Sequence, residues 1–175
     1  ILSPIRDGGL SLNAAAHVAG QSLPNIFTTP FWVYFVVIGG CGSCLALAIL
    51  LIRSKSKQLR TVGKIGIVPT FFGISEPIIF GVPLMLNPIF FIPFIFGSVV
   101  NATIAYILMD IGIIGKTFAM LSWQMPSIFG AFLSTMDIKA FLLIIVLIII
   151  DILIYYPFFK IYEKQLVQQE ISEEE

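Results

Sequence analysis

Charge is scarce in this sequence. Lys, Arg, Asp and Glu make up 11% of the 175 residues, whereas about 25% is usual for a domain that faces water on all sides. The ten basic and ten acidic residues cancel, so no excess of positive charge is available to hold a nucleic-acid backbone. Hydrophobic residues reach 58%, above the roughly 45–50% of soluble chains. This composition excludes a soluble enzyme, a disordered chain and a nucleic-acid binder, and it predicts a protein surrounded by lipid.

Side chains that commonly bind metals or act as nucleophiles are also few. The chain has one His and two Cys. Cys41 and Cys44 lie at CxxC spacing, but inside an apolar run with no second pair, so packing is the more ordinary role. Catalysis needs a base together with a nucleophile or a metal at workable spacing. We see no such set, and we therefore expect no catalytic residue, no metal site and no cofactor.

Three stretches are apolar enough and long enough to cross a bilayer. They are residues 30–52, residues 89–109 and residues 140–159, the last interrupted only by Asp151. A helix of 23 residues is about 34 Å long, which exceeds the roughly 30 Å of hydrocarbon in a bilayer. We predict three spanning helices here, preceded by an amphipathic or connecting segment over residues 1–29.

The few charges indicate the orientation of these helices. Five basic residues lie within residues 53–64, and five acidic residues lie within the last thirteen positions. Basic loops favour the cytoplasmic side of a membrane. Two further crossings then return the chain to the cytoplasm, so we expect residues 161–175 to form a solvated acidic tail there.

Two other apolar segments, residues 65–88 and residues 117–136, must each return to the side from which they start. Both contain prolines, including Pro69, Pro77 and Pro126, which remove backbone donors and disfavour helix at the preceding residue. Interrupted segments that enter a membrane from opposite faces are typical of a transporter with a binding site near the midplane. The predicted fold is an all-α integral membrane protein with three spanning helices and two re-entrant hairpins.

Glu76 is the only charged residue between Ile65 and Met109. A carboxylate at the centre of a membrane costs roughly 2.5–3.5 kcal/mol, so it is rarely present without a function. Pro77 suits the first turn of a helix, and Ser75 or Glu76 suits its cap. We expect Glu76 to lie beside the positive end of a short helix, which helps to keep it ionised.

A carboxylate in this position suits a sugar. An ionised carboxylate accepts hydrogen bonds, and adjacent sugar hydroxyls can donate two of them. At about 1.5–3 kcal/mol for each bond to a charged group, two hydroxyls could offset the cost of burial. Trp123, in the second hairpin, offers an apolar face and an indole donor, although an interfacial position is the ordinary alternative. Asn87 either contacts the ligand or caps a broken helix, and Asp151 has no visible partner.

Several runs of residues together resemble a known family. They are Gly39-Gly40-Cys41-Gly42, Lys55-Ser56-Lys57-Gln58-Leu59, Glu76-Pro77-Ile78-Ile79-Phe80-Gly81, Asn87-Pro88-Ile89, Ile92-Pro93-Phe94 and Tyr155-Tyr156-Pro157-Phe158-Phe159-Lys160. With these runs the chain resembles the enzyme IIC permease of the sugar phosphotransferase system, in its lactose, cellobiose and diacetylchitobiose branch. The resemblance covers nearly the whole chain but only the C-terminal portion of the family, so we expect a fragment whose residues 30–160 form the transport core.

The resemblance implies specific roles. Glu76 would bind sugar hydroxyls, with Ser75 beside it and Trp123 stacking on a ring, although the family usually has Asn where this chain has Ser75. The implied function is translocation of a β-linked disaccharide across the bacterial cell membrane, followed by phosphorylation by a separate IIB subunit. We expect a homodimer formed through helices outside this chain, and we hypothesise that IIB docks on the basic loop 53–64. The alternative function is a proton-coupled sugar symporter in which Glu76 titrates.

Overall fold

The computed structural model describes residues 2–174. These residues form helices and connecting segments, and no strand occurs among them. The α-helices are α1 (Ser3–Val18), α2 (Cys44–Ile52), α3 (Lys57–Phe71), α4 (Glu76–Gly81), α5 (Pro88–Asp110), α6 (Ser127–Thr135) and α7 (Ile138–Glu174), and a π-helical segment, Phe31–Val36, precedes α2. Three stretches are long and apolar enough to span a membrane: Phe31–Ile52, Pro88–Asp110 and Ile138–Ser172. The three predicted spans are therefore present.

The first span is interrupted, which corrects the expectation of one helix over residues 30–52. The π-helical segment ends at Val36, and α2 begins only at Cys44. Between them φ is positive at Gly39, Gly40, Gly42 and Ser43. Such a run of left-handed residues cannot continue a right-handed helix. The break leaves backbone groups at the centre of the span, and we call residues 37–43 the break segment.

The second and third spans differ from the prediction mainly at their ends. Helix α5 covers residues 88–110, close to the predicted 89–109. Helix α7 does not end near residue 159 but continues to Glu174. The predicted tail over residues 161–175 is thus helical as far as the described residues extend, because Glu, Lys, Gln and Leu are strong helix formers. Glu175 lies outside the described residues.

The two predicted hairpins have the connectivity of hairpins, although their arms differ. In the first, α3 and α4 pack together and are joined by residues 72–75. In the second, an irregular arm runs beside α6, where the Phe118 amide donates to the Ser134 carbonyl over 3.0 Å. Pro69 lies inside α3 and does not end this helix as expected, and Pro93 likewise lies inside α5. In each hairpin, the chain returns close to the point at which it started.

The core joins α5, α7 and the first span. Tyr34, Phe35, Leu147 and Tyr155 are fully buried in it. Asp151, whose partner the sequence did not reveal, is also buried, with 1% of its surface exposed. Its carboxylate contacts Asn101 of α5. Asp151 therefore faces neighbouring helices rather than the outside of the protein.

At the other end of α2, the start of α3 is fastened to the end of α7. Glu163 accepts hydrogen bonds from Ser54 Oγ (2.8 Å), the Lys55 amide (2.7 Å) and Lys160 Nζ (2.7 Å). Glu170 accepts hydrogen bonds from Ser56 Oγ and from the amides of residues 57 and 58. Glu170 therefore satisfies free amides at the beginning of α3, and Glu163 holds the residues just before it. We call this arrangement the loop clamp.

Candidate functional site

The tips of the two hairpins meet beside the break segment. A methyl group placed on Gly73, at the first tip, would lie 3.4 Å from the carbonyl oxygen of Trp123, at the second. Tyr34 Oη donates to the Ser122 carbonyl over 3.1 Å, and the Gly39 amide donates to Ser127 Oγ over 3.4 Å. The second hairpin is therefore held against the first span, and the tip of the first hairpin contacts the tip of the second.

These elements and α5 enclose a cavity of about 550 Å³. This volume lies within the roughly 300–1,000 Å³ typical of small-molecule sites. Its walls are mainly apolar and include backbone of the break segment. The polar side chains are Ser75, Glu76, Ser98 and Ser127, and the aromatic ones are Trp32, Phe94 and Trp123. An apolar cavity with a few polar groups at fixed positions is the usual form of a binding site.

Glu76 begins α4 and lines this cavity. Its side chain is exposed rather than buried in the hairpin. No hydrogen bond or salt bridge to its carboxylate is found within residues 2–174. The carboxylate is thus not neutralised by a basic residue of the described chain, and both of its oxygens are available to accept hydrogen bonds from a ligand.

Ser75 supports Glu76 in a different way from the one predicted. It occupies the N-cap position of α4, but its hydroxyl makes no capping hydrogen bond. Instead, Ser75 Oγ accepts a hydrogen bond from the Cys41 amide over 3.2 Å, and the side chain is 97% buried. This hydrogen bond therefore holds the first hairpin against the break segment at the residue immediately before Glu76.

The other two candidate site residues, Trp123 and Asn87, differ in their relation to the cavity. Trp123 lies at the tip of the second hairpin, is 62% exposed and lines the cavity. Asn87 does not line it. Asn87 Oδ1 accepts a hydrogen bond from the Ile89 amide over 3.0 Å and caps α5. The capping hydrogen bond of Asn87 is thus present, and its contact with a ligand stays a prediction.

The contribution of the break segment is not evident from the sequence. Gly40, Cys41 and Gly42 all line the cavity. A methyl group on Gly40 would lie 2.6 Å from Ser75 Cβ, so only a glycine permits this approach. Cys41 was expected to pack, but it is exposed, whereas Cys44 is buried. The signal was the cluster of glycines in the middle of a span, which also resembles an ordinary helix-packing surface.

An interrupted span and two hairpins around a cavity with an unpaired carboxylate are features typical of one class of protein, the polytopic membrane transporters. The sequence comparison specifies the class further. The family model for the phosphotransferase system EIIC matches residues 3–98, more than half of the chain. The chain therefore belongs to the EIIC family of the phosphotransferase system. This family and the three apolar helices indicate a protein of the bacterial cell membrane.

Individual relatives agree with the family. The chain is 38% identical over 173 residues to the lichenan permease IIC component of Bacillus subtilis, covering 97% of this chain and 38% of the relative. It is 36% identical over 176 residues to the lactose-specific EIICB component of Staphylococcus haemolyticus, covering 99% and 30%. The crystal structure of the transporter ChbC, the IIC component of the N,N'-diacetylchitobiose-specific phosphotransferase system, superimposes with a TM-score of 0.94 at 34% identity. That match covers 97% of this chain and 40% of ChbC, so the chain spans at most about two fifths of these relatives.

Proposed function

We propose that this chain forms the sugar-binding part of an EIIC permease that carries a β-linked disaccharide of the cellobiose, lactose or diacetylchitobiose type. The observation that carries the proposal is the Glu76 carboxylate, which lines the cavity without a hydrogen-bonding partner among the described residues. The printed names of the relatives, which include lichenan, lactose and diacetylchitobiose, supply the class of sugar.

The chemistry of the cavity suits this ligand. Two neighbouring hydroxyls of a sugar donate to the two oxygens of Glu76, and each bond to a charged acceptor contributes about 1.5–3 kcal/mol. The exposed ring of Trp123 provides a flat apolar surface for the C–H face of a pyranose. Glu76 and Trp123 belong to different hairpins whose tips touch, so one ligand reaches both.

We further propose that the hairpins are re-entrant and approach the cavity from opposite faces of the membrane. The first hairpin leads into the start of α5 at Pro88, and the second follows the end of α5 at Asp110. A helix of this length separates the two hairpin bases by about 34 Å, the thickness of the hydrocarbon layer. The tips nevertheless meet, which supports a cavity at intermediate depth.

The partner that phosphorylates the sugar would be a separate IIB subunit, docking on the basic loop 53–64. The loop and the end of α7 lie together at the loop clamp, and the positive-inside tendency puts both in the cytoplasm. Lys55 and Lys64 are exposed. Arg60 is already engaged, because its Nε and Nη2 donate to the Ser54 carbonyl over 2.9 and 2.7 Å. The lysines are therefore the better docking candidates, and changing both to Gln should weaken IIB binding while Lys139→Gln, also exposed, should not.

The proposed sugar site is tested by calorimetric binding of cellobiose, lactose and diacetylchitobiose to an intact transporter that carries this chain. Glu76→Gln should weaken the binding of the accepted sugar by about 10- to 150-fold, the equivalent of one charged hydrogen bond. Asp110→Asn, an exposed carboxylate at the end of α5, should bind as the wild type does. Equal affinity in Glu76→Gln would remove Glu76 from the site. Uptake that is driven by a proton gradient and needs no IIB would show that the protein is a symporter rather than a phosphotransferase permease.

A further inference from the structure

A second carboxylate, Asp151, lies where three elements of the core meet. It projects from α7 and is 1% exposed. Its Oδ2 accepts a hydrogen bond from Asn101 Nδ2 of α5 over 2.8 Å. Asn101 Nδ2 also donates to Ser43 Oγ of the break segment over 2.9 Å. One amide thus joins Asp151 to the interrupted first span.

Two oxygens of this cluster have no partner. Asp151 Oδ1 and Asn101 Oδ1 are buried and make no hydrogen bond. An unsatisfied buried oxygen costs roughly 1–3 kcal/mol, and an isolated ionised carboxylate costs far more, so such a group tends to become neutral instead. The titratable group that interacts with Asp151 is Tyr155 on α7, and Tyr155 in turn interacts with Cys44 on α2. Neither can supply a positive charge.

One proton on the carboxyl group can account for both unpartnered oxygens. Both amide hydrogens of Asn101 are already used, one on Asp151 and one on Ser43, so its oxygen can only accept. We propose that Asp151 is a proton-binding site, in which the neutral carboxylic acid donates to Asn101 Oδ1. The proton is taken from water and returned to water, and no other bond changes.

The packing around Asp151 favours a proton over a metal ion. A methyl group on Gly97 of α5 would lie only 3.0 Å from Asp151 Oδ1. The carboxylate is therefore pressed against the α5 backbone on that side, which leaves no room for a hydrated cation.

The proton site is connected to the cavity through the break segment. Asn101 holds Ser43, and Tyr155 Oη donates to the carbonyl of Gly42. Gly42 and Cys41 line the cavity, and the Cys41 amide is bonded to Ser75, next to Glu76. Loss of the proton leaves a buried negative charge opposite the Asn101 oxygen. The repulsion between these two groups loosens the break segment where it lines the cavity. Because the binding-competent wall holds a proton, sugar binding should weaken as the pH rises.

The test compares two neutralising substitutions in an intact transporter that carries this chain. Asp151→Asn places an amide donor where the acid donates, so its sugar affinity at neutral pH should stay within about twofold of wild type. Wild-type affinity should fall at least about tenfold in alkaline buffer, and Asp151→Asn should lose this pH dependence. Asp110→Asn, at the exposed end of α5, should keep it. Failure of Asp151→Asn to fold or bind would overturn the proposal, because a neutral isostere should be tolerated.

Infrared spectroscopy gives a readout that needs no sugar and is therefore independent of the proposed function. With isotope-labelled aspartate, wild-type protein at neutral pH should show the C=O stretch of a protonated aspartic acid. The band should persist in Asp110→Asn and disappear in Asp151→Asn. If no protonated aspartate is seen, Asp151 is ionised and the proton site is wrong.

Discussion

The carboxylates at the loop clamp accept several hydrogen bonds from other residues of the chain, whereas the carboxylate at the cavity accepts none from residues 2–174. Glu163 is 4% exposed and accepts three hydrogen bonds, two of them on the same oxygen. Glu170 likewise accepts from one hydroxyl and two amides. Glu76 is exposed at the cavity, and no donor to it is found within residues 2–174.

This difference separates structural acids from an acid that serves a ligand. A carboxylate saturated by protein donors has few lone pairs left for anything else, and it stabilises the two segments that it joins. A carboxylate left open stabilises nothing in the free protein and keeps its acceptor sites for a ligand. Changes at the loop clamp should therefore alter stability, and changes at the cavity should alter binding.

The largest effect is expected at the point where the first hairpin touches the break segment. Gly40→Ala forces a side chain into a residue with φ +98° and 2.6 Å from Ser75 Cβ. Backbone strain of about 1–2 kcal/mol and overpacking of about 1–3 kcal/mol should combine, and sugar binding measured by calorimetry should fall by tenfold or more.

Gly20→Ala is the matched control for Gly40→Ala. Gly20 also has a positive φ, +67°, but nothing lies within 4 Å of an added methyl group. It should show the backbone strain without the loss of sugar affinity. Equal losses in the two variants would mean that contact with Ser75 does not shape the cavity.

At the loop clamp, Glu163→Gln should lower stability and spare the cavity. The change weakens three hydrogen bonds to a charged acceptor, so a loss of about 1.5–3 kcal/mol in the free energy of unfolding is expected. Thermal denaturation in detergent measures it, and sugar affinity of the folded protein should not change. A variant of normal stability with impaired binding would reverse the distinction between the two regions.

Substitutions of Asn87 test whether this residue lies outside the sugar site. Asn87→Ala removes the cap of α5 and should cost about 1 kcal/mol of stability, with sugar affinity unchanged. Asn87→Ser retains a capping oxygen and should recover most of that loss. A specific defect in sugar binding for Asn87→Ala, without a change in denaturation temperature, would return Asn87 to the site.

The smallest effect is expected from substitutions of Trp123. Trp123→Ala removes the stacking surface and should weaken sugar binding by about 0.5–1.5 kcal/mol, roughly two- to twelvefold. Trp123→Phe retains an aromatic face and should lie between the alanine variant and wild type. Identical affinities for all three proteins would assign Trp123 to the membrane interface instead.

The sequence was sufficient for the long elements and for the carboxylate of the site. Uninterrupted apolar stretches predicted the three spans because length and composition alone determine whether a helix can cross a bilayer. Glu76 was identified because a single charged residue in a long apolar stretch can be recognised from the sequence alone.

The interruptions were harder to locate. Proline was taken as the signal of a break, yet Pro69 and Pro93 lie inside helices, because one missing donor is tolerated where neighbouring turns remain bonded. The actual break occurs at glycines, whose left-handed conformations depend on contacts with distant residues such as Ser75. The helical form of residues 161–174 was also missed, since it depends in part on the contacts of Glu163 and Glu170 with residues far away in sequence.

The most direct test of the sugar site uses Cys41, which lines the cavity and is exposed, with buried Cys44 as the internal control. The rate at which a maleimide alkylates Cys41 is followed by mass spectrometry of its peptide in an intact transporter that carries this chain. Saturating cellobiose, lactose or diacetylchitobiose, whichever the transporter accepts, should slow the reaction in wild type but not in Glu76→Gln. An unchanged rate in the wild type at saturating concentrations of every one of these sugars would contradict the account.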